Sequence, residues 1–406
     1  MIPFLVRLFQ EPLESTGLIS VLQVFYGVDF RSFLAVLVSF TLVLVFGPRT
    51  IEWLREQKVG DNPEFDNAGV NELMGSRAGT PTMGGILICG SIIATVLLLA
   101  DLGERYVHLA IAVVVAYGLI GMADDWLKLT TARRSPGSRD GLRPWEKLLF
   151  QIGLATMFSW VLFSQATVDV DAAVQDSARV LNLPFQRTWA PGAGEGLLEM
   201  VPPIESGVIV LGGLAFVFIG TLVIAGTSNA VNISDGMDGL AAGVMAIAAI
   251  AFMILIHIAA DVQLATHLYV PYVKGAEDLM VVAGAMAGAC LGFLWFNSSP
   301  AKVFMGDTGS LALGGLLGFL AVSIRQEVVL AVVGGIFFLE LGSVIVQVGW
   351  FKFTRIRTGK GVRLLRCSPI HHHFHLGGWS EQQIVTRFWL ITIVLSMAAF
   401  ALVKLR

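Results

Sequence analysis

Two adjacent carboxylates, Asp124 and Asp125, stand in the segment DDWLK and are followed by Lys128. Neighbouring carboxylates repel each other, so they need a nearby cation, which could be a divalent metal, a lysine or a substrate amine. The segment lies at the end of an apolar run, where negative charge at a helix C-terminus would oppose the helix dipole. We therefore interpret this pair as functional rather than as a solvated helix end.

A second polar cluster, NAVNISDGMDGL at 229–240, lies between two apolar runs. Asp235 and Asp238 are three positions apart, which predicts that they share one face of the first turn of a helix. One polar residue is enough to cap a helix, whereas Asn229 and Asn232 add two amides to these carboxylates. Groups at a helix N-terminus can bind a phosphate or a nucleoside hydroxyl, so the cluster predicts a ligand-binding loop.

The segment FMGDTGS at 304–310 places Asp307 directly after Gly306, at the start of another apolar run. The glycines permit close backbone approach and a positive φ. Asp307 could be a helix cap, but a carboxylate is also the hard oxygen donor that Mg²⁺ prefers alongside substrate phosphates. We predict that Asp307 binds Mg²⁺, with Asp124 and Asp125 as further candidate ligands.

Four of the seven histidines, His371, His372, His373 and His375, fall within five residues in the segment PIHHHFH. A zinc site is an alternative, but no cysteine accompanies the run at zinc-finger spacing. Adjacent histidines on one irregular loop rarely bind a single metal. We expect them to donate to phosphate oxygens or to shape a substrate site.

A fifth segment, RAGTPTMGG at 77–85, contains Arg77 and Thr82 before an apolar run, and alone it indicates little beyond helix capping. Together the five segments supply acidic groups for Mg²⁺ and basic groups for phosphates. They contain neither a serine nucleophile elbow nor a Walker loop. This combination suits phosphoryl transfer, in which charge neutralisation and positioning supply most of the catalysis. A site at the bilayer surface would accept one soluble and one lipid substrate.

The elements that position these residues are apolar. Of 406 residues, 55% are hydrophobic and 14% are charged, against about 25% charged in soluble domains, which disfavours the alternative of a soluble α/β enzyme. In lipid each span must be helical, so we predict an all-α polytopic membrane protein, a single domain over 1–406. The ten predicted spans are 29–47, 83–101, 107–124, 146–165, 207–226, 237–260, 279–296, 309–324, 328–350 and 386–404.

The distribution of lysine and arginine predicts the orientation. Five alternate loops, counted with their edges, hold 18 of the 27 basic residues, so these loops are expected in the cytoplasm and both termini outside. The segment 166–206 is then an irregular or hairpin-forming loop outside, and the loop 351–385 carries the histidines in the cytoplasm. We expect no cleaved signal peptide and no disulfide among three cysteines. The net charge of −3 does not indicate a nucleic-acid partner, and we expect none.

Five motifs resemble those of the phospho-N-acetylmuramoyl-pentapeptide transferase family, within the polyprenyl-phosphate N-acetylhexosamine-1-phosphate transferases. In the family's order they are GTPTMGG (79–85), DDWLK (124–128), NAVNISDGMDGL (229–240), FMGDTGS (304–310) and PIHHHFHLGGW (369–379). The resemblance covers about 30–406. It implies transfer of phospho-MurNAc-pentapeptide from UDP-MurNAc-pentapeptide to undecaprenyl phosphate, giving lipid I and UMP. It also implies Mg²⁺ dependence, a homodimer and a multi-pass protein of the bacterial inner membrane, with its active site facing the cytoplasm.

The resemblance assigns catalytic roles to Asp124, Asp125 and Asp307, with Asp307 binding the metal. The substrate-binding residues that it implies are Arg77, Thr82, Lys128, Lys147, Asn229, Asn232, Asp235, Gly236, Met237, Asp238, Asn297, Phe304, Gly306, His371, His372 and His373. The family commonly has lysine where this chain has Arg77 and glutamate where it has His375. Two alternatives stay open: a sister transferase for another UDP-N-acetylhexosamine, and a transporter, which would carry its polar groups near the bilayer midplane.

Overall fold

The computed structural model describes residue 2 and residues 22–57, 79–134, 141–168, 172–189 and 202–404. The α-helices of these ranges are α1 Val28–Glu56, α2 Gly85–Leu99, α3 Arg105–Arg134, α4 Pro144–Ala166, α5 Ala172–Ser177, α6 Gly213–Ser234, α7 Leu240–Ala260, α8 Val262–His267, α9 Leu279–Asn297, α10 Gly306–Ser323, α11 Glu327–Val333, α12 Gly335–Thr358, α13 Ile370–His375 and α14 Glu381–Lys404. The all-α prediction is confirmed, because the described residues contain isolated β-bridges but no strand.

Nine helices of the described ranges are long and apolar enough to cross a membrane. They are α1, α3, α4, α6, α7, α9, α10, α12 and α14. The remaining predicted span, 83–101, corresponds to α2, which is apolar but only 15 residues long. This arrangement confirms a multi-pass membrane protein, since lipid offers no hydrogen-bond partners to the backbone and helices satisfy their own.

Small residues let the central helices approach closely. A Cβ atom on Gly314 would lie 2.7 Å from the backbone of Ser228, and one on Gly318 would lie 2.8 Å from the backbone of Ile224. These two glycines therefore form the surface of α10 that packs against α6, as expected for small residues four apart in a membrane helix. Nearly all of α10 is buried, so this helix forms the centre of the bundle.

The ninth predicted span, 328–350, is wrong as a single helix. The chain breaks at Gly334, so that α11 ends at Val333 and α12 begins at Gly335. Two consecutive glycines lower the cost of interrupting a helix, and the amide of Gly334 still donates to the Leu330 carbonyl at 2.7 Å. The second of these helices, α12, extends beyond the predicted end at residue 350 and reaches Thr358.

The predicted helical position of Asp235 and Asp238 is also wrong. Helix α6 continues to Ser234, whose hydroxyl donates to the Ala230 carbonyl at 2.8 Å, and α7 begins only after Gly239. Gly239 has φ 77°, a left-handed conformation that ends the connecting turn at low cost. The two carboxylates therefore lie in a tight turn between helices, which we call the 235–239 turn, and not on one face of a first helical turn.

The predicted end of the third helix, at residue 124, is also wrong. Helix α3 continues past Asp124 and Asp125 to Arg134, so the two carboxylates lie inside a helix rather than at its C-terminus. Their charge is balanced there by Lys128 of the same helix, by Lys147 of α4 and by backbone amides of other segments.

Two ion pairs are buried at the opposite end of the bundle. Arg31 at the start of α1 is paired with Asp278, which precedes α9, and Arg325 after α10 lies 2.8 Å from Glu327. Burial lowers the pKa of the Arg325 guanidinium and raises the pKa of Glu327, and each partner's charge opposes that shift. These pairs lie at the end of the bundle away from the site described below, so they provide controls for substitutions at that site.

Candidate active site

One end of the bundle collects the chemically active side chains because successive helices alternate in direction. The C-terminal part of α3, the N-terminus of α4, the C-terminus of α6 and the N-terminus of α10 meet there. Lys128 on α3 places its Nζ 2.8 Å from Asp124 Oδ2 and 2.8 Å from Asp307 Oδ2. The DDWLK and FMGDTGS motifs are thus brought to one point, although they are far apart in the chain.

A second lysine completes this arrangement. Lys147 Nζ lies 2.7 Å from Asp307 Oδ2, 3.5 Å from Asp124 Oδ2 and 3.2 Å from Asn232 Oδ1. We call Asp124, Lys128, Lys147, Asn232 and Asp307 the carboxylate–lysine cluster. The two ammonium groups shared by these carboxylates are also donors that could form charge-assisted hydrogen bonds with phosphate oxygens.

Asn232 orients Asp307. Its Nδ2 donates to Asp307 Oδ1 at 2.6 Å and to Ser310 Oγ at 2.9 Å. Both carboxylate oxygens of Asp307 are therefore engaged, one by an amide and the other by lysines. Ser310, one turn after Asp307 in the first part of α10, had no place in the sequence interpretation. Its position three residues after Asp307 on the same helix is the signal that could have indicated it.

Asp125 has a different role from its neighbour. One oxygen accepts a hydrogen bond from the amide of Asp307 at 3.2 Å, and the other accepts from the amide and hydroxyl of Thr308 at 3.0 and 2.7 Å. These are donors at the N-terminus of α10, where a carboxylate is favoured by capping and by the helix dipole. Asp125 thus anchors the helix that carries Asp307, while Asp124 faces the lysines.

The 141–143 segment encloses Asp124 from the other side. The amide of Leu142 donates to Asp124 Oδ1 at 2.7 Å, and Gly141 lies against the same oxygen. The amide of Arg143 donates to Glu146 Oε2 at 2.9 Å at the start of α4. This turn fixes the first helical residues of α4 and so the position of Lys147.

The GTPTMGG segment pairs with the FMGDTGS segment through the backbone. The amide of Phe304 donates to Pro81 O at 2.8 Å, and the amide of Gly84 donates to Phe304 O at 2.9 Å. Gly306 has φ 72°, and a Cβ there would lie 2.9 Å from Thr82 Oγ1. Thr82, Phe304 and Gly306 are therefore adjacent, whereas Arg77 lies outside the described residues.

The 235–239 turn is held by two of the residues predicted to bind substrate. Asp238 Oδ2 accepts from the amide of Ala301 at 3.0 Å, and Asn297 Oδ1 accepts from the amide of Gly239 at 3.0 Å. Asp238 and Asn297 are buried, as is Met237, whereas Asp235 and Gly236 are partly exposed. The structure thus gives Asp238 and Asn297 contacts that support the turn and leaves Asp235 and Gly236 partly accessible.

Asn229 is separated from the cluster. Its Nδ2 donates to Gln151 Oε1 on α4 and to the Ala225 carbonyl, the latter at 2.8 Å. These contacts join α6 to α4 one turn deeper in the bundle. Gln151, which is buried, is a further polar residue that the sequence interpretation did not single out.

The histidine run forms the short helix α13 rather than the irregular loop that we predicted. His371 and His372 are buried, and the Nδ1 of His373 accepts from the amide of Arg366 at 3.1 Å. His371 Nδ1 lies 3.1 Å from Glu340 Oε2 on α12. The sequence interpretation missed Glu340, although a carboxylate within the apolar run GIFFLELGSVIVQVGW was a usable signal.

The donors of the carboxylate–lysine cluster fit Mg²⁺. Asp124 and Asp307 direct one carboxylate oxygen each at the same ammonium group of Lys128, which is a position that favours a cation. In the described residues no group of three or more acidic, histidine or cysteine side chains forms a complete metal cage. Mg²⁺ commonly uses one or two carboxylates and completes its shell with water and substrate phosphates, so two carboxylates suffice.

The carboxylates and lysines gathered at one end of a polytopic helical bundle are consistent with an integral membrane transferase. The family profile described as "Glycosyl transferase family 4" matches residues 107–325, and a signature of phospho-N-acetylmuramoyl-pentapeptide-transferase matches residues 78–89. The chain belongs to the phospho-N-acetylmuramoyl-pentapeptide-transferase family.

Two relatives extend the similarity over nearly the full length. The phospho-N-acetylmuramoyl-pentapeptide-transferase of Thermodesulfovibrio yellowstonii is 40% identical over 388 residues, which are 96% of this chain and 97% of the relative. The protein of the same name from Syntrophus aciditrophicus is 39% identical over 395 residues, or 97% of this chain and 98% of the relative. The family resemblance predicted from five motifs is thus confirmed over nearly the whole chain.

Proposed function

We propose that this chain transfers phospho-MurNAc-pentapeptide from UDP-MurNAc-pentapeptide to undecaprenyl phosphate, giving lipid I and UMP. The observation that carries the proposal is the carboxylate–lysine cluster at one end of a membrane-spanning bundle. There a diphosphate from solution and a phosphate on a lipid can meet. The names of the relatives, at about 40% identity over nearly the whole chain, support the same substrate.

The reaction breaks one phosphoanhydride bond, in the UDP-linked donor, and forms another, between the lipid phosphate and the sugar phosphate. An oxygen of undecaprenyl phosphate attacks the phosphorus that bears the sugar, the bond between the two phosphates of the UDP donor breaks, and UMP leaves. Lys128 and Lys147 bind the phosphate oxygens and stabilise the charge that develops on them. Asp124 takes the proton of the lipid phosphate, because its Oδ2 faces the lysines while both oxygens of Asp125 are occupied by α10.

Mg²⁺ is the cofactor of this proposal. Asp307 would hold it, together with Asp124, and when bound it neutralises charge on the diphosphate. Asn232 keeps Asp307 in the orientation required, through the 2.6 Å hydrogen bond to its other oxygen. Asp125 keeps the backbone of Asp307 in place, through the amide that it accepts.

The nucleotide part of the donor is assigned to the surface between Phe304 and the 235–239 turn. Phe304 is partly exposed and its ring can stack on uracil, and Asp235 and Gly236 are partly exposed on the turn. Thr82 lies beside Gly306 at the edge of the same surface. Asp238, Asn297 and Met237 act by holding this surface rather than by reaching the ligand.

The cellular setting follows from the substrates. UDP-linked precursors are made in the cytoplasm, so the active site faces the cytoplasm from the bacterial inner membrane. The distribution of lysine and arginine predicts that both termini lie outside. Two copies form a homodimer, and the whole chain acts as one integral membrane domain.

An assay with purified protein tests the proposal. UDP-MurNAc-pentapeptide and undecaprenyl phosphate should give lipid I with Mg²⁺ and none after removal of the metal with EDTA, and Mg²⁺ should restore turnover. Other UDP-N-acetylhexosamines are the control, and faster turnover with one of them would assign the chain to a sister activity. Failure to form any lipid-linked sugar phosphate would overturn the proposal.

A further inference from the structure

A buried acid–histidine pair lies behind the 235–239 turn and has no role in the mechanism above. Glu340 is in the interior of α12 and His371 is in α13, and both side chains are 0% exposed. His371 Nδ1 lies 3.1 Å from Glu340 Oε2. The pair therefore joins a membrane-spanning helix to the short helix that carries the histidine run.

The two side chains depend on each other. In the described part of the chain, neither ring nitrogen of His371 and neither carboxylate oxygen of Glu340 makes a hydrogen bond of good geometry. A buried carboxylate without a donor is costly, and a histidine is the group that faces it here. The 3.1 Å separation is within hydrogen-bond distance, so Nδ1–H can donate to Oε2 when the imidazole is aligned with that oxygen.

The other edge of the imidazole packs against the 235–239 turn. A Cβ placed on Gly236 would lie 2.6 Å from His371 Nε2 and 2.8 Å from Cε1, so only glycine leaves room for the ring. The ring of His372 lies 4.2 Å away, measured between centroids. His371 is therefore held between Glu340 on one side and the backbone of Gly236 on the other.

We propose that Glu340 is a positioning residue that acts on the donor site through His371. Its carboxylate accepts the hydrogen bond from Nδ1–H, which fixes the ring and its tautomer and keeps Nε2 against Gly236, so that the turn holds the shape that receives the UDP-linked donor. Both residues are excluded from solvent, so they act through the turn without touching the substrate. This inference rests on the proposed function and extends it to a residue outside all five motifs.

Steady-state kinetics of Glu340→Gln, with each substrate varied in turn, test the inference. The KM for UDP-MurNAc-pentapeptide should rise by about 10- to 100-fold, the range for loss of one charge-assisted hydrogen bond. The KM for undecaprenyl phosphate should stay unchanged, because the lipid phosphate binds at the carboxylate–lysine cluster. Glu340→Asp, which keeps the charge, should recover part of the donor affinity.

A double-mutant cycle with His371→Ala shows whether Glu340 acts through the histidine. Glu340→Gln should add little to the donor KM of His371→Ala, because the group on which Glu340 acts is already absent. Glu327→Gln is the matched control, since it neutralises another buried glutamate at the opposite end of the bundle. It should leave the donor KM unchanged, whatever its effect on thermal stability.

Several outcomes would overturn the inference. They are an unchanged donor KM in Glu340→Gln, effects of the two substitutions that multiply, and a loss shared equally by both substrates as in a partly unfolded protein. A wild-type protein that forms no lipid I would instead overturn the proposed function, so the two failures are distinguishable.

Discussion

At the scale of residues, two aspartates that are adjacent in the chain have separate partners. Successive residues of a helix point about 100° apart, so Asp124 meets the lysines and Asp125 meets the N-terminus of α10. The motif DDWLK by itself does not distinguish the two residues, because both are carboxylates close to the same lysine in the sequence. The structure predicts different consequences for their removal.

Asp124→Asn should lower kcat by several orders of magnitude, with a small change in stability, because it removes the carboxylate that faces Lys128 and the lipid phosphate. Asp125→Asn should lower activity and also reduce the free energy of unfolding by about 1–2 kcal/mol, the value of a helix cap. Turnover and thermal unfolding in detergent measure the two effects. Equal loss of stability in both variants would contradict this division.

Asp307→Asn should reduce lipid I formation by at least about 10³-fold, as expected when a charged group that stabilises the transition state is lost. Lipid I formation across a Mg²⁺ titration is the measurement, with Ser310→Ala as a milder variant that keeps the carboxylate. Near-normal turnover of Asp307→Asn in Mg²⁺ would refute the assignment of the metal to this residue.

At the scale of elements, the site depends on how closely three helices approach. A Cβ on Gly121 of α3 would overlap the backbone of Asp307 and Thr308 at the start of α10. The backbone of Gly85, which begins α2, donates to Met305 O at 2.9 Å just before the same helix. Glycine at these contacts sets the position of the N-terminus of α10, and with it the position of Asp307.

Gly121→Ala should therefore lower kcat by about 10²-fold, because a displacement of roughly 1 Å at a catalytic group costs this much. Gly118→Ala on the same helix is the matched control, since its Cβ would lie 3.7 Å from Cys89 Sγ, an ordinary contact. Turnover and expression level of the two variants are compared. Similar activity in both would show that α10 adapts to the added methyl group.

At the scale of the whole molecule, the bundle has one end that carries the cluster and another that carries two buried ion pairs. The predicted orientation places the cluster in the cytoplasm. Lys302 and Lys274 are exposed on opposite ends, before α10 and before α9 respectively. They offer positions from which the orientation can be measured.

In a variant without native cysteines, Lys274→Cys should react with a membrane-impermeant maleimide in intact cells. Lys302→Cys should react only after the membrane is opened. Labelling yields before and after lysis give the comparison, and lipid I formation checks that each variant is folded. The reverse pattern would place the active site outside and contradict the proposed use of cytoplasmic UDP-linked donors.

The sequence alone was enough to predict the helical class of this protein and most of its candidate site residues. Long apolar runs, the need of lipid-exposed backbone for helices, and the polar motifs between runs are all local properties, so the helical class and the candidate residues could be read directly. The exact ends of helices depended on weaker local signals. Gly334 interrupts one predicted helix, and α6 continues as far as Ser234, before the 235–239 turn.

Only the tertiary structure decided which groups meet. Asp125 and Thr308 are 183 positions apart, and Lys147 and Asp307 are 160 apart, so their contacts depend on the packing of whole helices and not on any local pattern. The same holds for Glu340 and His371, which no motif connects. Side chains of one chemical type could therefore be recognised from the sequence, but their separate roles follow from the neighbours that close helix packing provides.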